Sequence, residues 1–482
     1  MRISPRVFRM PCIPLIATFL ACCLLAPPLA AQYFAVAAAN SASIKLSEVS
    51  GPPTSLTKVV GTGFGISEQV KILFDTKLEG TTTTSNTGNF SLLITIPKSA
   101  LPGTHIVKAS GLSSHLSATA SFLVQTNWSQ DGFNAAQTYN NPYENVISTS
   151  NAPHLVPKWI NMYSQAAVGT PIVVNGTLYV NADKLYALNA MTGAMLWSSQ
   201  QYGSFEAPAV AGGIVYSASD HLYALNAYTG ALLWSKPLNG GSITSPTISH
   251  GVVFVDSYNG TVYAFNMQTG AQLWAVSICS SIYATPAVSN DLVYVGCTDS
   301  HLYALNAKTG AVRWNYTADS FISNSVAIAN GLVFVISNGG TIYALNALNG
   351  TMVWSVTSQY VIYGSLSVAG NMVYVNGSGL FAYNAQSGML VWSNLTSITL
   401  QGPSVANGVV YCTWAGSGLP YIFAFNAATG SELWNAPIGS TASHGSPAVA
   451  NGIIYIGSGS QGQLSYGELV SFYVPTTISD IH

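Results

Sequence analysis

Side chains able to do chemistry are scarce in this sequence, and their placing narrows what it can do. The 482 residues include 16 Asp and Glu, 14 Lys and Arg, eight His and six Cys, for a net charge of −2. At 6% the charged share is about a quarter of the usual one. Glu206, Asn324 and Gln401 offer one carboxylate and two amide oxygens, donors suited to a hard cation. Calcium takes about six to eight such oxygens, so one acid is a thin supply, and Glu206 reads equally as a solvated loop residue. Asp183, Asp220, Asp256 and Asp299 form a second set, placed at turns. They suit a cation or basic partner, or simply the turns themselves, which aspartate favours. His221 and His301 fall at the same position of a repeat, two units apart, and no His/Cys spacing fits zinc. Trp414 opens an irregular loop through Tyr421 and is either a binding platform or loop packing. No Ser/His/Asp grouping stands out, and no catalytic residue is assigned.

The cysteines divide by position. Cys22 and Cys23 lie in an apolar run from Pro11 to Ala31, preceded by Arg2, Arg6 and Arg9. A positive end, an apolar middle and a small-residue exit make residues 1–31 an export signal, with a retained anchor or a lipid anchor at Cys22 or Cys23 as the lesser alternatives. Beyond it no stretch approaches the ~20 apolar residues of a spanning helix. Export implies an oxidising compartment, periplasmic, envelope or extracellular, in which the mature chain keeps Cys279, Cys297 and Cys412. The hairpin at Val288 and Leu292 brings Cys279 and Cys297 toward the same end of one sheet, where a disulfide is available to them. Cys412 reads as a buried thiol acting as a small hydrophobe. Nothing in so uncharged a chain attracts phosphate, which excludes nucleic acid as a partner.

The elements that must position these residues are repeats. Trp159, Trp197, Trp234, Trp274, Trp314, Trp354, Trp392 and Trp434 are separated by 38, 37, 40, 40, 40, 38 and 42 residues. A period near 40 made of strands and turns is the mark of a propeller, one blade per period. Each unit runs as in Thr285-Pro286-Ala287-Val288, then Leu292-Val293-Tyr294-Val295, then Leu302-Tyr303-Ala304-Leu305-Asn306, then Ala311-Val312-Arg313-Trp314. The inner strands are apolar on both faces, as a sheet buried on both sides requires. The glycine of Thr309-Gly310 supplies a positive φ for the last turn. Each Trp is placed to bridge one blade to the next. Seven units are complete. An eighth, from Ser446 to Tyr473, has three strands and no Trp, while His154–Trp159 is a lone strand with one. Joining the two closes a ring of eight and removes the open edges. The fold class is therefore all-β, an eight-bladed β-propeller over residues 154–475.

The unit Ala-Leu-Asn-Ala-x-Thr-Gly-Ala-x-x-Trp resembles the pyrroloquinoline-quinone (PQQ)-type propeller repeat with its tryptophan-docking motif. That resemblance covers about residues 126–475 and implies the fold, in which the eight tryptophans are the blade-docking residues. It is shared by quinoprotein alcohol dehydrogenases and by the non-enzymatic scaffold of the outer-membrane barrel-assembly machine, so it leaves function open. The enzymes hold quinone and calcium at the channel mouth, with an aspartate base and a disulfide of adjacent cysteines. By alignment the mouth here is ringed by Gly169, Glu206, Thr244, Ala284, Asn324, Gly364, Gln401 and Gly445. The only adjacent cysteines are Cys22 and Cys23, inside the export signal.

Residues 41–125 have short alternating strands with Gly, Pro and Asn turns, the pattern of a small β-sandwich. They resemble the immunoglobulin-like domains of the IPT/TIG type. Residues 126–153, rich in Asn, Gln and Tyr, read as a linker lying against the propeller. The expectation is an exported, non-catalytic binding or scaffold protein with a protein or cell-surface partner and no cofactor. A PQQ-dependent dehydrogenase with calcium is the first alternative, and surface adhesion or glycan binding the second.

Overall fold

The computed structural model describes residues 41–164, 168–202, 206–242, 244–360, 362–395, 401–414, 419–439, 445–459 and 466–475. The export signal expected at 1–31, with Cys22 and Cys23, lies outside the described residues. Two sheets come first. One has three strands, Ser43–Leu46, Leu56–Thr62 and Phe90–Thr95; the other runs Ser50–Gly51, Ser117–Val124, Gly103–Gly111, Gln69–Phe74, Lys77–Thr83. Strict alternation drives this layer pair. In Leu56–Thr62 every second side chain is buried, and Val59, Val70, Ile72, Phe74, Ile94 and Phe122 meet in one core, as period-two patterning demands.

Eight blades of four antiparallel strands follow, the sheet of blade 7 with a short fifth strand added. Blades 1 to 7 occupy residues 172–202, 209–237, 247–277, 287–317, 327–357, 362–394 and 401–437, each running from inner to outer strand. Blade 8 is assembled from both ends of the array: Ala448–Ala450, Ile453–Ser458 and Tyr466–Tyr473 take Val156–Ser164 as their outer strand, with Val156 opposite Tyr473. Neighbouring inner strands touch around the circle, and that of blade 8 touches that of blade 1. The chain is thus a closed ring, with no blade edge left between its first and last repeats.

The docking motif explains both the tryptophan and the glycine. Trp274 in blade 3 donates its Nε1–H to the carbonyl of Ala307 in blade 4 at 2.9 Å. Gly310 of blade 4 sits on the face of the same indole, with φ +73°, where a Cβ would stand 2.7 Å from the ring. Equivalent indole donations join Trp159, Trp197, Trp314, Trp354 and Trp392 to the following blade. Two units depart. In blade 2 the hydroxyl of Tyr216 takes the carbonyl of Met267 at 2.7 Å, and the Nε1–H of Trp234 is buried without a partner. Trp434 faces blade 8, whose outer strand arrives from the N-terminal side rather than through a Thr-Gly turn. It packs edge-on against Phe472 instead, ring centroids 5.0 Å apart. A disulfide joins Cys279 to Cys297, and Cys412 is a buried free thiol.

Candidate functional site at the propeller axis

Each inner strand has one edge bonded within its blade and one edge facing the axis, where its backbone groups need partners. The turns after these strands mark one end of the ring. There the sandwich is fastened: Gln125 Nε2 donates to Asn175 Oδ1 at 3.0 Å, the Thr126 amide to Asn451 Oδ1 at 2.7 Å, and Asn145 Nδ2 to the Ala100 carbonyl at 2.8 Å. The segment expected as a linker does lie against the propeller, but on its inner wall. From Trp128 to Asn141 it passes along the eight inner strands in order. Trp128 exchanges both backbone bonds with Val173 of blade 1, and the amide of Val210 in blade 2 donates to the Ser129 carbonyl. Gln130 serves blade 3 with its side chain: Oε1 accepts from the Ile248 amide at 2.7 Å. The amides of Val288, Ile328, Val368 and Val405, in blades 4 to 7, donate to the carbonyls of Ala135, Ala136, Thr138 and Tyr139. Asn140 and Asn141 add a short parallel strand to blade 7, and Asn141 Nδ2 donates to the Val449 carbonyl of blade 8 at 2.8 Å.

This inner belt carries a carboxyl to the axis. Asp131 is buried and accepts from the Tyr139 hydroxyl at 2.9 Å. Burial raises its pKa to about 6, against the opposing hydrogen bonds from Tyr139, Gly132 and Ser245. At the mouth end, just before the inner strand of blade 2, Glu206 is held through its backbone, whose carbonyl accepts from Asn181 Nδ2 at 2.7 Å. Desolvation, then the charges of Asp131 and Asp256, push its carboxyl up to about 8. Asp256 ends the second strand of blade 3, fully buried, with Oδ1 accepting from Thr244 Oγ1 at 2.5 Å and Oδ2 without a partner. Desolvation raises it to about 8. Desolvation and the neighbouring Asp131 hold the Tyr139 phenol well above its ordinary range.

The charges of Asp131 and Asp256 both act on Glu206, which sets these three carboxyls together at the axis. Asn324 is half-buried at its place before blade 5, and Gln401 opens the inner strand of blade 7, its side chain outside the described residues. Trp414 ends a strand of blade 7 beside Tyr421, centroids 6.3 Å apart, while residues 415–418 of its loop lie outside the described residues. Asp256 is a correction. It was placed with Asp183, Asp220 and Asp299 as a turn residue, yet those three are bound by the hydroxyls of Tyr186, Tyr223 and Tyr303, whereas Asp256 closes a buried strand. Its alignment with Asn181, Asn376 and Thr413 at the same strand end was the available signal. Asp131 carried none, because it lies outside the repeat.

The trio suits proton holding more than cation binding. A quinone cofactor with calcium, as the resemblance implies for the enzymes, needs an oxygen-rich cage and positive groups for its acids. Asp131 is committed to Tyr139 and Ser245 and one oxygen of Asp256 to Thr244. Among the described residues no three or more His, Cys, Asp and Glu are placed to hold a metal ion. Among the described residues no lysine or arginine acts on these carboxyls. The described residues do not fit the group.

Comparison with known proteins bears on the ring. A family model described as "Outer membrane protein assembly factor BamB" matches residues 185–320 and 258–472. A search of curated proteins found none that matches. Among solved structures, quinohemoprotein alcohol dehydrogenase from Comamonas testosteroni is similar at TM-score 0.63 and 15% identity, over 73% of this chain and 82% of that one. A europium-containing methanol dehydrogenase is similar at 0.61 and 16%, over 72% and 98%. BamB from Moraxella catarrhalis is similar at 0.54 and 18%, over 67% and 98%. At these identities the likeness establishes the propeller fold.

Proposed function

This chain belongs to the family described as outer membrane protein assembly factor BamB, and from that premise we propose that it is a non-catalytic propeller scaffold. In this reading residues 1–31 export it to the cell envelope or surface, the sandwich at 41–125 is an immunoglobulin-like spacer, and the ring at 154–475 binds a protein partner. One observation carries the proposal: the axial edges of all eight blades are taken by residues 128–141 of the chain itself, leaving a mouth with acids and, among the described residues, no lysine or arginine acting on them. A quinone bearing several carboxylates would find there three buried acids and, among the described residues, no positive group to offset its charge out of water. The outer surfaces remain free for a macromolecule.

Adding pyrroloquinoline quinone and calcium to the purified chain tests it. The expected result is no stoichiometric quinone absorbance after desalting and no dye reduction with alcohols. Bound quinone at one per chain together with alcohol-dependent dye reduction would establish the dehydrogenase reading instead. Crosslinking the chain in its native envelope, followed by identification of the crosslinked peptides, gives the positive arm: partner crosslinks on propeller surfaces.

A further inference from the structure

The rim of the ring is uneven in a way the repeat does not require. In each of blades 1 to 7 the outer strand begins with two residues just before its Trp, beside the turn that follows the third strand. Blades 3, 4 and 7 place a polar or charged residue in this pair: Gln272-Leu273, Val312-Arg313 and Glu432-Leu433. Blades 1 and 2 do not. They expose Met195-Leu196 and Leu232-Leu233, with Met191 and Tyr228 at the adjoining turns, Tyr228 at 75%. Blades 5 and 6 repeat the pattern with Met352-Val353 and Leu390-Val391, joined by Leu348 and Met389, the last at 70%. In a ring of eight, blades 1 and 2 stand diametrically opposite blades 5 and 6. The rim thus carries its two densest apolar clusters on opposite sides; the blades between them expose fewer apolar side chains, Leu273 on blade 3, Val312 on blade 4, and Ile160 and Met162 on blade 8.

At roughly 100 Å² of apolar surface per side chain, six side chains give each patch about 600 Å², at the top of what a monomer ordinarily leaves open. Two such patches brought together bury ~1,200 Å², the lower bound of a specific interface. Opposed patches of matching size are what a head-to-tail contact needs. A copy displaced across the ring diameter sets blades 1 and 2 of one molecule against blades 5 and 6 of the next.

We propose that this chain associates with further copies of itself edge to edge, the rim of blades 1 and 2 docking on the rim of blades 5 and 6 of the next molecule. The contact is heterologous, so each copy keeps one patch free to extend a row. This inference does not depend on the scaffold reading and survives if the ring proves to bind a quinone.

Sedimentation of the purified full chain over about 1–100 µM tests it, with Leu232→Glu to spoil one patch and Val353→Glu to spoil the other. Both positions are exposed, and unchanged melting temperatures confirm intact folding. The expected result is a wild-type mass that rises with concentration, each variant alone at the mass of a single chain, and an equimolar mixture of the two at twice that mass and no more. A wild-type chain that stays single throughout would overturn the proposal, whether or not it sediments with lipid vesicles. So would a Leu232→Glu protein that still pairs, since that would make the contact patch-to-like-patch.

Discussion

Replacing Asp256 by Asn tests whether the axis holds protons that the unfolded chain releases. In the native ring the carboxyl is sealed from water and titrates near 8, while an unfolded aspartate titrates near 3.9. Between those values the folded state binds a proton the unfolded state lacks. Stability therefore falls as pH rises through the window from about 4 to 8, by up to ~1.4 kcal/mol per pH unit for one such group. Asn keeps the shape of the neutral acid and an oxygen for Thr244 Oγ1, but cannot ionise. From pH 5 to pH 7 the variant should lose ~3 kcal/mol less than the wild type, and be the more stable of the two at pH 7.5. The gain is accompanied by a lower Glu206 pKa, because one of the two charges that raise it is gone. Urea unfolding at half-unit steps from pH 5 to 8 reads the two slopes directly. Parallel slopes would refute the reasoning, as would a variant less stable than the wild type at pH 8.

Two further changes probe the ring. Gly310→Ala and Gly331→Ala both place a Cβ on a backbone with φ above +70°, but only Gly310 faces an indole, Gly331 having nothing within 4 Å. The left-handed strain of ~1–2 kcal/mol should appear in both, and Gly310→Ala should lose ~1–3 kcal/mol more through overpacking, read as a difference in urea midpoints; equal losses would separate the turn from the tryptophan dock. Gln130→Ala removes the acceptor of the half-buried Ile248 amide, which should cost ~1 kcal/mol and raise hydrogen exchange at Ile248; unaltered exchange there would show that the inner belt does not hold blade 3.

The ring was legible because a repeat states its structure many times over. Tryptophan spacing sets the blade count, and the missing strand after Tyr473 matches the surplus one that ends in Trp159. The finer docking contacts were legible only in part. That each Trp bridges one blade to the next is readable, but the glycine of Thr-Gly reads as a turn residue alone, and its second duty against the preceding blade's ring appears only when the blades are set side by side. At the axis, Glu206 is legible because it breaks a repeat position, whereas Asp256 is hidden by its resemblance to turn aspartates two or three residues further along the other units.

Residues 128–141 show why a passage without periodicity can still be tightly determined. Eight inner strands present edges to the axis, and each buried amide there needs an acceptor. A regular strand cannot supply them, since its bonds point to one neighbour while the ring turns the direction at every blade. The chain meets the demand by serving blades 1 to 3 from consecutive residues, making a turn at Asp131–Asn134, and resuming with Ala135. At two of the eight stations the partner is a side-chain amide, Gln130 on Ile248 and Asn141 on Val449. Gln and Asn carry the same donor and acceptor as a peptide group on a short tether, and so reach a strand that the backbone's own direction misses. The Asn- and Gln-rich composition that looked like a loose connection is thus what an irregular path around a circle of strands requires. The same turn is what delivers Asp131 to the axis, where its charge acts on Glu206.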